Sequence, residues 1–186
     1  MSEDRKPDLH YVCTRAEAAG LIASAEEFFI GDCGCRKDRG RCDRSRMDVC
    51  LEFKAQTAAE GSGRRRSSRA EAGELLRIAE ENRLVTRPFR DDATRTATEG
   101  ICFCCDCCCG YFNAGDGGEF TCEKGRFIER TEMDSCTHCG ACVEVCYFKA
   151  RGLKDGLLEV DRDRCFGCGL CVNACPIGCV EMDRRE

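Results

Sequence analysis

Cysteine is the residue type in this chain whose spacing most clearly predicts chemistry. Two runs near the carboxyl end each follow C-x2-C-x2-C-x3-C, the spacing that binds a pair of [4Fe–4S] clusters. The runs are Cys136, Cys139, Cys142 and Cys146, and Cys165, Cys168, Cys171 and Cys175. In such pairs the fourth cysteine of each run binds the cluster of the other run. The spacing therefore predicts one cluster on Cys136, Cys139, Cys142 and Cys175, and a second on Cys165, Cys168, Cys171 and Cys146.

Two other uses of cysteine explain these runs less well. Zinc takes four ligands, so a third cysteine in register and a fourth after it would have no function. A disulfide scaffold is suggested by 21 cysteines in 186 residues. However, the number is odd, no secretory leader is recognisable, and adjacent cysteines such as Cys104 and Cys105 are poor candidates for mutual bridging.

Thirteen cysteines lie outside these runs, and ten of them are concentrated in two short segments. The ten are Cys33, Cys35, Cys42 and Cys50, followed by Cys102, Cys104, Cys105, Cys107, Cys108 and Cys109. Uncoordinated thiols at this density would be prone to oxidation. We therefore expect most of the ten to bind one or two further iron–sulfur clusters.

The sequence allows several assignments of these ten cysteines to metal centres. They suffice for two cubanes with two thiols to spare. Alternatively, the four early cysteines bind one cubane and the six-cysteine run a larger or non-cubane cluster, or the early four bind zinc. Adjacent side chains diverge, so we expect Cys104 and Cys105 to bind different irons. Cys13 and Cys122 have no assigned role, and Cys179 is expected to be a buried small hydrophobe.

Composition and charge restrict the function further. Aromatic residues make up 7% of the chain and tryptophan is absent, so we expect a thin hydrophobic core that depends on bound clusters. Residues 1–100 carry 19 basic and 19 acidic side chains, whereas residues 101–186 carry 10 and 15. This acidic half favours a basic redox partner and argues against nucleic acid. No apolar run approaches the ~18 residues of a membrane span, and abundant thiols without an export signal predict a cytoplasmic location.

Two similar helix-and-strand units are predicted to position the N-terminal cysteines. Thr14 and Glu17 form a capping-box pattern at the start of one helix, and Ser68 and Glu71 repeat it at another. Short strands are predicted at residues 9–12, 28–30 and 84–86. Residues 61–67, which include three consecutive arginines, and the polar residues 90–99 are expected to be loops.

The carboxyl-terminal segment is predicted to alternate strands with cluster loops. Strands are expected at residues 126–133 and 180–182, and Asp155-Gly156 predicts a tight hairpin turn between two more. The chain is therefore predicted to be α+β. It divides into a Cys-rich domain (1–109), a Gly-rich connector (110–125) and a two-cluster domain (126–186).

These motifs resemble a known family. The carboxyl-terminal runs are similar to the bacterial two-[4Fe–4S] ferredoxin domain. The whole chain resembles the ferredoxin-like 4Fe–4S proteins of anaerobes, on the basis of Cys33-Gly-Cys35, Cys42-Asp43, Cys50-Leu51 and the run from Ile101 to Gly110. The resemblance implies a dicluster ferredoxin-like domain behind a small Cys-rich α+β domain. One departure is Tyr147, which follows Cys146 where the pattern has proline.

The resemblance also implies electron-transfer chemistry. We expect an electron carrier or an electron-transfer subunit of an anaerobic oxidoreductase complex, rather than an enzyme. Its partners would be redox proteins, such as flavin- or metal-containing oxidoreductase subunits, because the chain has no dinucleotide-binding glycine motif. Two alternatives remain: a sensor of redox state or iron that docks to a partner, and catalysis at an unusual N-terminal cluster.

Overall fold

A mixed seven-stranded sheet organises the amino-terminal half. The computed structural model describes residues 6–54, 63–113 and 121–186. The strands of the large sheet are β1 (His10–Tyr11), β2 (Phe28–Gly31), β3 (Cys50–Glu52), β4 (Arg65–Ser67), β5 (Val85–Arg90), β6 (Thr98–Cys104) and β7 (Cys122–Glu123). Their order is β4-β2-β3-β6-β5-β1-β7, and neighbours are antiparallel except the parallel pair β1 and β7.

Two capped helices cover one face of this sheet. Helices α1 (Arg15–Ser24) and α3 (Arg69–Glu81) begin at the predicted capping boxes, with the Thr14 and Ser68 side chains as N-caps. The short helix α2 (Gly34–Arg39) follows Cys33. Seventeen buried residues, contributed by α1, α3 and the sheet, form the main core. This core is more extensive than the composition predicts, and it includes Cys13, Cys105 and Cys108.

Strand alternation separates the core from a cysteine-rich face. In β6, Ile101 and Phe103 point into the core with exposed fractions of 0% and 2%. Successive side chains of a strand point to opposite faces, so Cys102 and Cys104 lie on the other side. Cys102 is in register with Cys50 on β3 and with Arg87 on β5. The sheet thereby brings together cysteines that are distant in sequence.

The basic segment before α3 differs from the prediction. We expected residues 61–67 to be a flexible loop, but Arg65–Ser67 form the edge strand β4, paired antiparallel with β2. Ion pairs from Arg65 to Glu71 and from Arg66 to Glu27 hold this strand in place. Residues 61 and 62 of the predicted loop lie outside the described residues. The predicted loop at 90–99 is shorter than expected, because β5 ends at Arg90 and β6 begins at Thr98.

The carboxyl-terminal half has the predicted alternation of strands and loops. Its strands are β8 (Phe127–Thr131), β9 (Arg151–Lys154), β10 (Leu157–Val160) and β11 (Val180–Arg184), and its helices are α5 (Ala141–Glu144) and α6 (Leu170–Ala174). Two 3-10 turns, Met133–Ser135 and Arg162–Arg164, precede the cysteine runs. β8 pairs with β11, and β9 with β10. Positive φ angles of 52° at Asp155 and 79° at Gly156 confirm the predicted turn.

The predicted connector contributes structure to both halves. Residues 110–113 form helix α4 (Gly110–Asn113), and Cys122–Glu123 join the large sheet as β7. Residues 114–120 of the predicted Gly-rich connector lie outside the described residues. No helix in the described part of the chain has the length and apolar character needed to cross a membrane.

A second, smaller core joins the two halves. Val12 and Val85 from the large sheet pack with Val145, Tyr147 and Leu170 from the carboxyl-terminal half. The Tyr147 hydroxyl also donates a hydrogen bond of 2.9 Å to the carbonyl oxygen of Arg83, after α3. Tyr147, which stands where the pattern has proline, therefore anchors the end of the first cysteine run to the amino-terminal half.

Candidate metal centres

The first predicted cluster site is a cavity lined by the first cysteine run and the end of the second. Its lining includes all four predicted ligands, Cys136, Cys139, Cys142 and Cys175. Cys179 lines the same cavity, is 8% exposed, and places its Sγ atom 3.5 Å from that of Cys175. Cys179 is therefore buried, as expected, but it is also a fifth thiol beside this site.

The second predicted cluster site is a separate cavity, lined by the second cysteine run and the end of the first. Its thiols are Cys165, Cys168, Cys171 and Cys146, so the structure brings together the crossover set that the spacing predicts. The fold requires glycine beside this site: at Gly167, where φ is +80°, a Cβ atom would lie 2.0 Å from the Phe127 carbonyl oxygen.

The chemistry of both cavities fits [4Fe–4S] clusters. Burial raises the pKa of Cys168 to about 12 and that of Cys171 to about 11. Such thiols become thiolates when a cation replaces the proton, as iron does. The amides of His138 and Ala150 lie 3.4 Å and 3.3 Å from the sulfurs of Cys136 and Cys146, where hydrogen bonds tune a cluster. Bound clusters would provide one-electron chemistry at these thiols.

Arg151 is a buried cation beside the first cluster site. Its Nη1 atom lies 3.3 Å from the sulfur of Cys142, and Nη2 donates to the Thr131 hydroxyl at 2.9 Å. Arg151 also pairs with the buried carboxylate of Glu129. Arg151 also lines the second cavity, together with Cys171. Arg151 therefore links the electrostatics of the two sites.

Six cysteines of the amino-terminal half form a row of neighbouring thiols, which we call the six-thiol row. In order along the row they are Cys33, Cys35, Cys109, Cys104, Cys102 and Cys50. The positions of Cys50, Cys102 and Cys104 follow from the alternation in β6 and from the register between β3 and β6. The row is a candidate for an iron–sulfur cluster.

Arg87 is the central cation of the six-thiol row. It is 4% exposed, and its Nη1 atom lies 3.2 Å from the sulfur of Cys109 and 3.6 Å from that of Cys104. Cys122 of β7 also lies beside the guanidinium. At the edge of the row, the His10 Nε2 atom is 4.0 Å from the sulfur of Cys102. Burial lowers the pKa of His10 to about 4, so this ring is neutral at pH 7.

The remaining four of the ten cysteines form a separate group, which we call the four-thiol site. Its members are Cys42, Cys105, Cys107 and Cys108, whose sulfur atoms all lie within 4.8 Å of one another. Burial alone would raise the pKa of Cys42, but the backbone amides of Arg44 and Ser45 and the charge of Arg36 lower it to about 7.

This partition answers questions that the spacing left open. Cys104 and Cys105 are directed to different groups, as the expected divergence of adjacent side chains predicts. The four early cysteines do not assemble by themselves, because Cys42 joins the four-thiol site whereas Cys33, Cys35 and Cys50 lie in the six-thiol row. Cys13 is buried in the main core, where burial raises the pKa of its thiol.

Sequence reasoning missed the buried arginines. Arg36, Arg87 and Arg151 are 0%, 4% and 5% exposed, and each has a thiol within 4.0 Å. Arg36 lies directly after Cys35, which is a weak signal. Arg87 lies on β5 and Arg151 on β9, and neither belongs to a recognised cysteine spacing, although Arg151 follows Cys146 by five residues.

Aromatic side chains connect the six-thiol row with the second cluster site. The Arg87 guanidinium stacks over the Tyr111 ring at 4.5 Å, and Tyr111 contacts Phe166 at a centroid distance of 6.2 Å. Phe166 stacks on Phe148 at 4.3 Å, and both rings line the second cavity. The two centres are thus joined by a continuous chain of packed side chains.

Comparison with known families agrees with the geometry of the two cavities. Residues 135–179 match the family model described as a 4Fe-4S dicluster domain. Comparison with curated proteins finds no match to the chain. The chain is therefore similar to 4Fe-4S dicluster domains over residues 135–179, and this similarity supports iron–sulfur binding and an electron-transfer role.

Proposed function

We propose that this chain is an iron–sulfur electron carrier or an electron-transfer subunit of an anaerobic oxidoreductase complex. In this role it catalyses no reaction of its own and passes single electrons between partner redox proteins. The observation that carries the proposal is an exposed apolar patch around the rim of the first cluster site.

Cys139 is the exposed thiol of the first cluster site, and the Leu153 side chain lies beside the adjacent Gly140. Leu153, Leu157 and Ile177 are 49%, 57% and 48% exposed, and Ile177 lines the cavity itself. Exposed apolar patches of this kind mark interaction sites. A partner that covers the patch would approach the cluster closely, which electron exchange requires.

Acidic side chains surround the patch. Glu132, Asp134, Asp155 and Glu159 are exposed in the segments that border it. Complementary charge increases the rate at which proteins associate. We therefore propose a partner whose docking surface is basic around an apolar centre.

The packed aromatic chain extends this route into the protein. An electron received at the patch would pass from the first cluster to the second, whose cavity Phe148 and Phe166 line. Tyr111 and Arg87 then lead to the six-thiol row. The proposal thus accounts for a second set of thiols behind a ferredoxin-like domain.

The test combines potentiometry with electron transfer to a basic probe protein. Anaerobic titration followed by electron paramagnetic resonance should show reversible reduction, with midpoint potentials below zero millivolts. Reduced protein should transfer electrons to cytochrome c, a basic haem protein. At low ionic strength, Glu159→Lys should slow this transfer several-fold, with less effect at high salt.

The matched control is Glu26→Lys, which makes the same charge change at an exposed position after α1. It should leave the transfer rate close to that of the unmodified protein. Equal slowing by both variants would contradict the proposed docking patch, and midpoints all above zero would contradict a low-potential carrier.

A further inference from the structure

The four-thiol site is more compact than a cluster site. The sulfur of Cys105 lies 3.7 Å from that of Cys42, 3.3 Å from that of Cys107 and 3.1 Å from that of Cys108. Cys42 and Cys107 are 3.7 Å apart. Three or more His, Cys, Asp or Glu side chains whose ligand atoms lie within 4.8 Å of one another could hold a metal ion. Within the described residues, these four cysteines form the group that meets this criterion.

A single metal ion and a cubane require different sulfur separations. Four sulfurs at ~2.3 Å from a tetrahedral zinc ion lie about 3.8 Å from each other, because the edge of a tetrahedron is about 1.63 times its centre-to-corner distance. In a cubane, each thiolate binds a different iron, so the body of the cluster holds the thiolates farther apart. Four of the six sulfur–sulfur separations are 3.1–3.7 Å and all six are within 4.8 Å, which is close to the spacing around a single ion.

We infer that Cys42, Cys105, Cys107 and Cys108 form a structural zinc site, separate from the iron–sulfur centres. Four thiolates complete a tetrahedral shell and leave no open position, which is typical of structural zinc. A given ligand set binds Zn²⁺ more tightly than Fe²⁺. The inference does not depend on the proposed electron-transfer function, because it assigns this site no redox step.

The surroundings are suited to the charge of such a site. Zinc with four thiolates carries a net charge of −2. Arg36, which is 0% exposed, places Nη2 at 4.0 Å from the sulfur of Cys105 and donates to the Phe103 carbonyl at 3.1 Å. This buried cation offsets part of the charge that the site would otherwise leave uncompensated.

The position of the ion indicates what it does for the fold. Cys42 follows α2, whereas the other three ligands follow β6, so zinc would join two loops about 60 residues apart. The ion pair between Arg44 and Asp106, at 2.6 Å, joins the same loops. Cys104 and Cys109 of the six-thiol row lie directly on either side of the Cys105–Cys108 ligands in sequence. Zinc at this site would therefore hold the six-thiol row in position.

The experiment uses full-length protein purified without oxygen and without added zinc chelator. Elemental analysis should find about one zinc per chain in addition to iron. The zinc X-ray absorption spectrum of the unmodified protein should show four sulfur neighbours at about 2.3 Å. This measurement needs no variant, so it stays decisive even if ligand replacement prevents folding.

Two variants then separate the sites. Cys107→Ser should remove most of the zinc and leave the iron of the two ferredoxin clusters, whereas the matched variant Cys104→Ser should retain zinc. The inference is overturned by iron-replete protein that lacks zinc, by zinc with oxygen or nitrogen ligands, by zinc retained in Cys107→Ser, or by one tetrahedral thiolate-bound iron at this site.

Discussion

Arg151 offers a direct test of how the protein sets a cluster's potential. Its side chain is 1% exposed, Nη1 lies 3.3 Å from the sulfur of Cys142, and it pairs with Glu129. Burial acts to lower the pKa of Arg151, but the negative charges of Cys171, Glu129 and Cys142 raise it overall, so the side chain is cationic. Arg151→Met removes this charge with little change in side-chain length.

The size of the effect follows from Coulomb's law. With about 6 Å between the guanidinium and the centre of the added electron, and an effective dielectric constant of about 20, the attraction is about 2.8 kcal/mol. This energy corresponds to about 120 mV for a one-electron step. Entry of water and partial protonation of Glu129 reduce the shift, so we expect the first cluster's midpoint to become about 60–120 mV more negative.

The assay is an anaerobic potentiometric titration monitored by electron paramagnetic resonance. Arg151→Lys retains the charge and should shift the midpoint by less than half as much. Arg130→Met, which removes a half-exposed arginine paired with Glu181 and Asp183 in the same domain, should change it by less than about 20 mV because solvent screens exposed charges. Arg151→Met alone leaves the buried Glu129 carboxylate without its partner, which costs about 3–5 kcal/mol of stability. The double variant Arg151→Met/Glu129→Gln removes both charges and avoids this cost.

An Arg151→Met protein that is fully loaded with iron and has an unchanged midpoint would refute this electrostatic argument. A shift to a more positive potential would refute it equally, because removing a cation cannot stabilise an added electron through the Coulomb interaction.

Three further predictions concern the amino-terminal half and the role of iron in folding. Arg87→Met removes the cation 3.2 Å from Cys109, so iron and sulfide beyond those of the two ferredoxin clusters should decrease, with a smaller loss in Arg87→Lys. Ser68→Ala removes the N-cap of α3 and should lower the free energy of unfolding by about 1 kcal/mol, whereas Ser67→Ala on β4 should change it by less than ~0.5 kcal/mol in the same denaturant titration. Iron chelation should abolish amide-exchange protection in residues 126–186 and largely preserve it in α1 and α3, whose core of seventeen buried residues contains few predicted iron ligands. Uniform loss of protection in both halves would contradict that last prediction.

Local spacing predicted the parts of the structure that depend on near neighbours in sequence. The capping boxes at Thr14 and Ser68 and the turn at Asp155-Gly156 form as expected, because each is closed by contacts within about four residues. The thiols of the two cysteine runs line two separate cavities. This was also predictable from local spacing, because three of the four cysteines at each cavity come from one short loop. Residues 65–67 were not predicted as a strand, because their pairing partner β2 lies more than 30 residues away.

The sequence by itself determined that this chain has two sets of thiols, and it predicted which thiols of the carboxyl-terminal set share a cavity. Only the tertiary structure decided how the other ten cysteines divide into a six-thiol row and a four-thiol site. That division depends on the register that sets Cys50 beside Cys102 and on the loop that carries Cys42 to Cys105. Arg87 also reaches Cys104 and Cys109 from β5, and neither strand register nor loop closure over some 60 residues can be derived from local spacing.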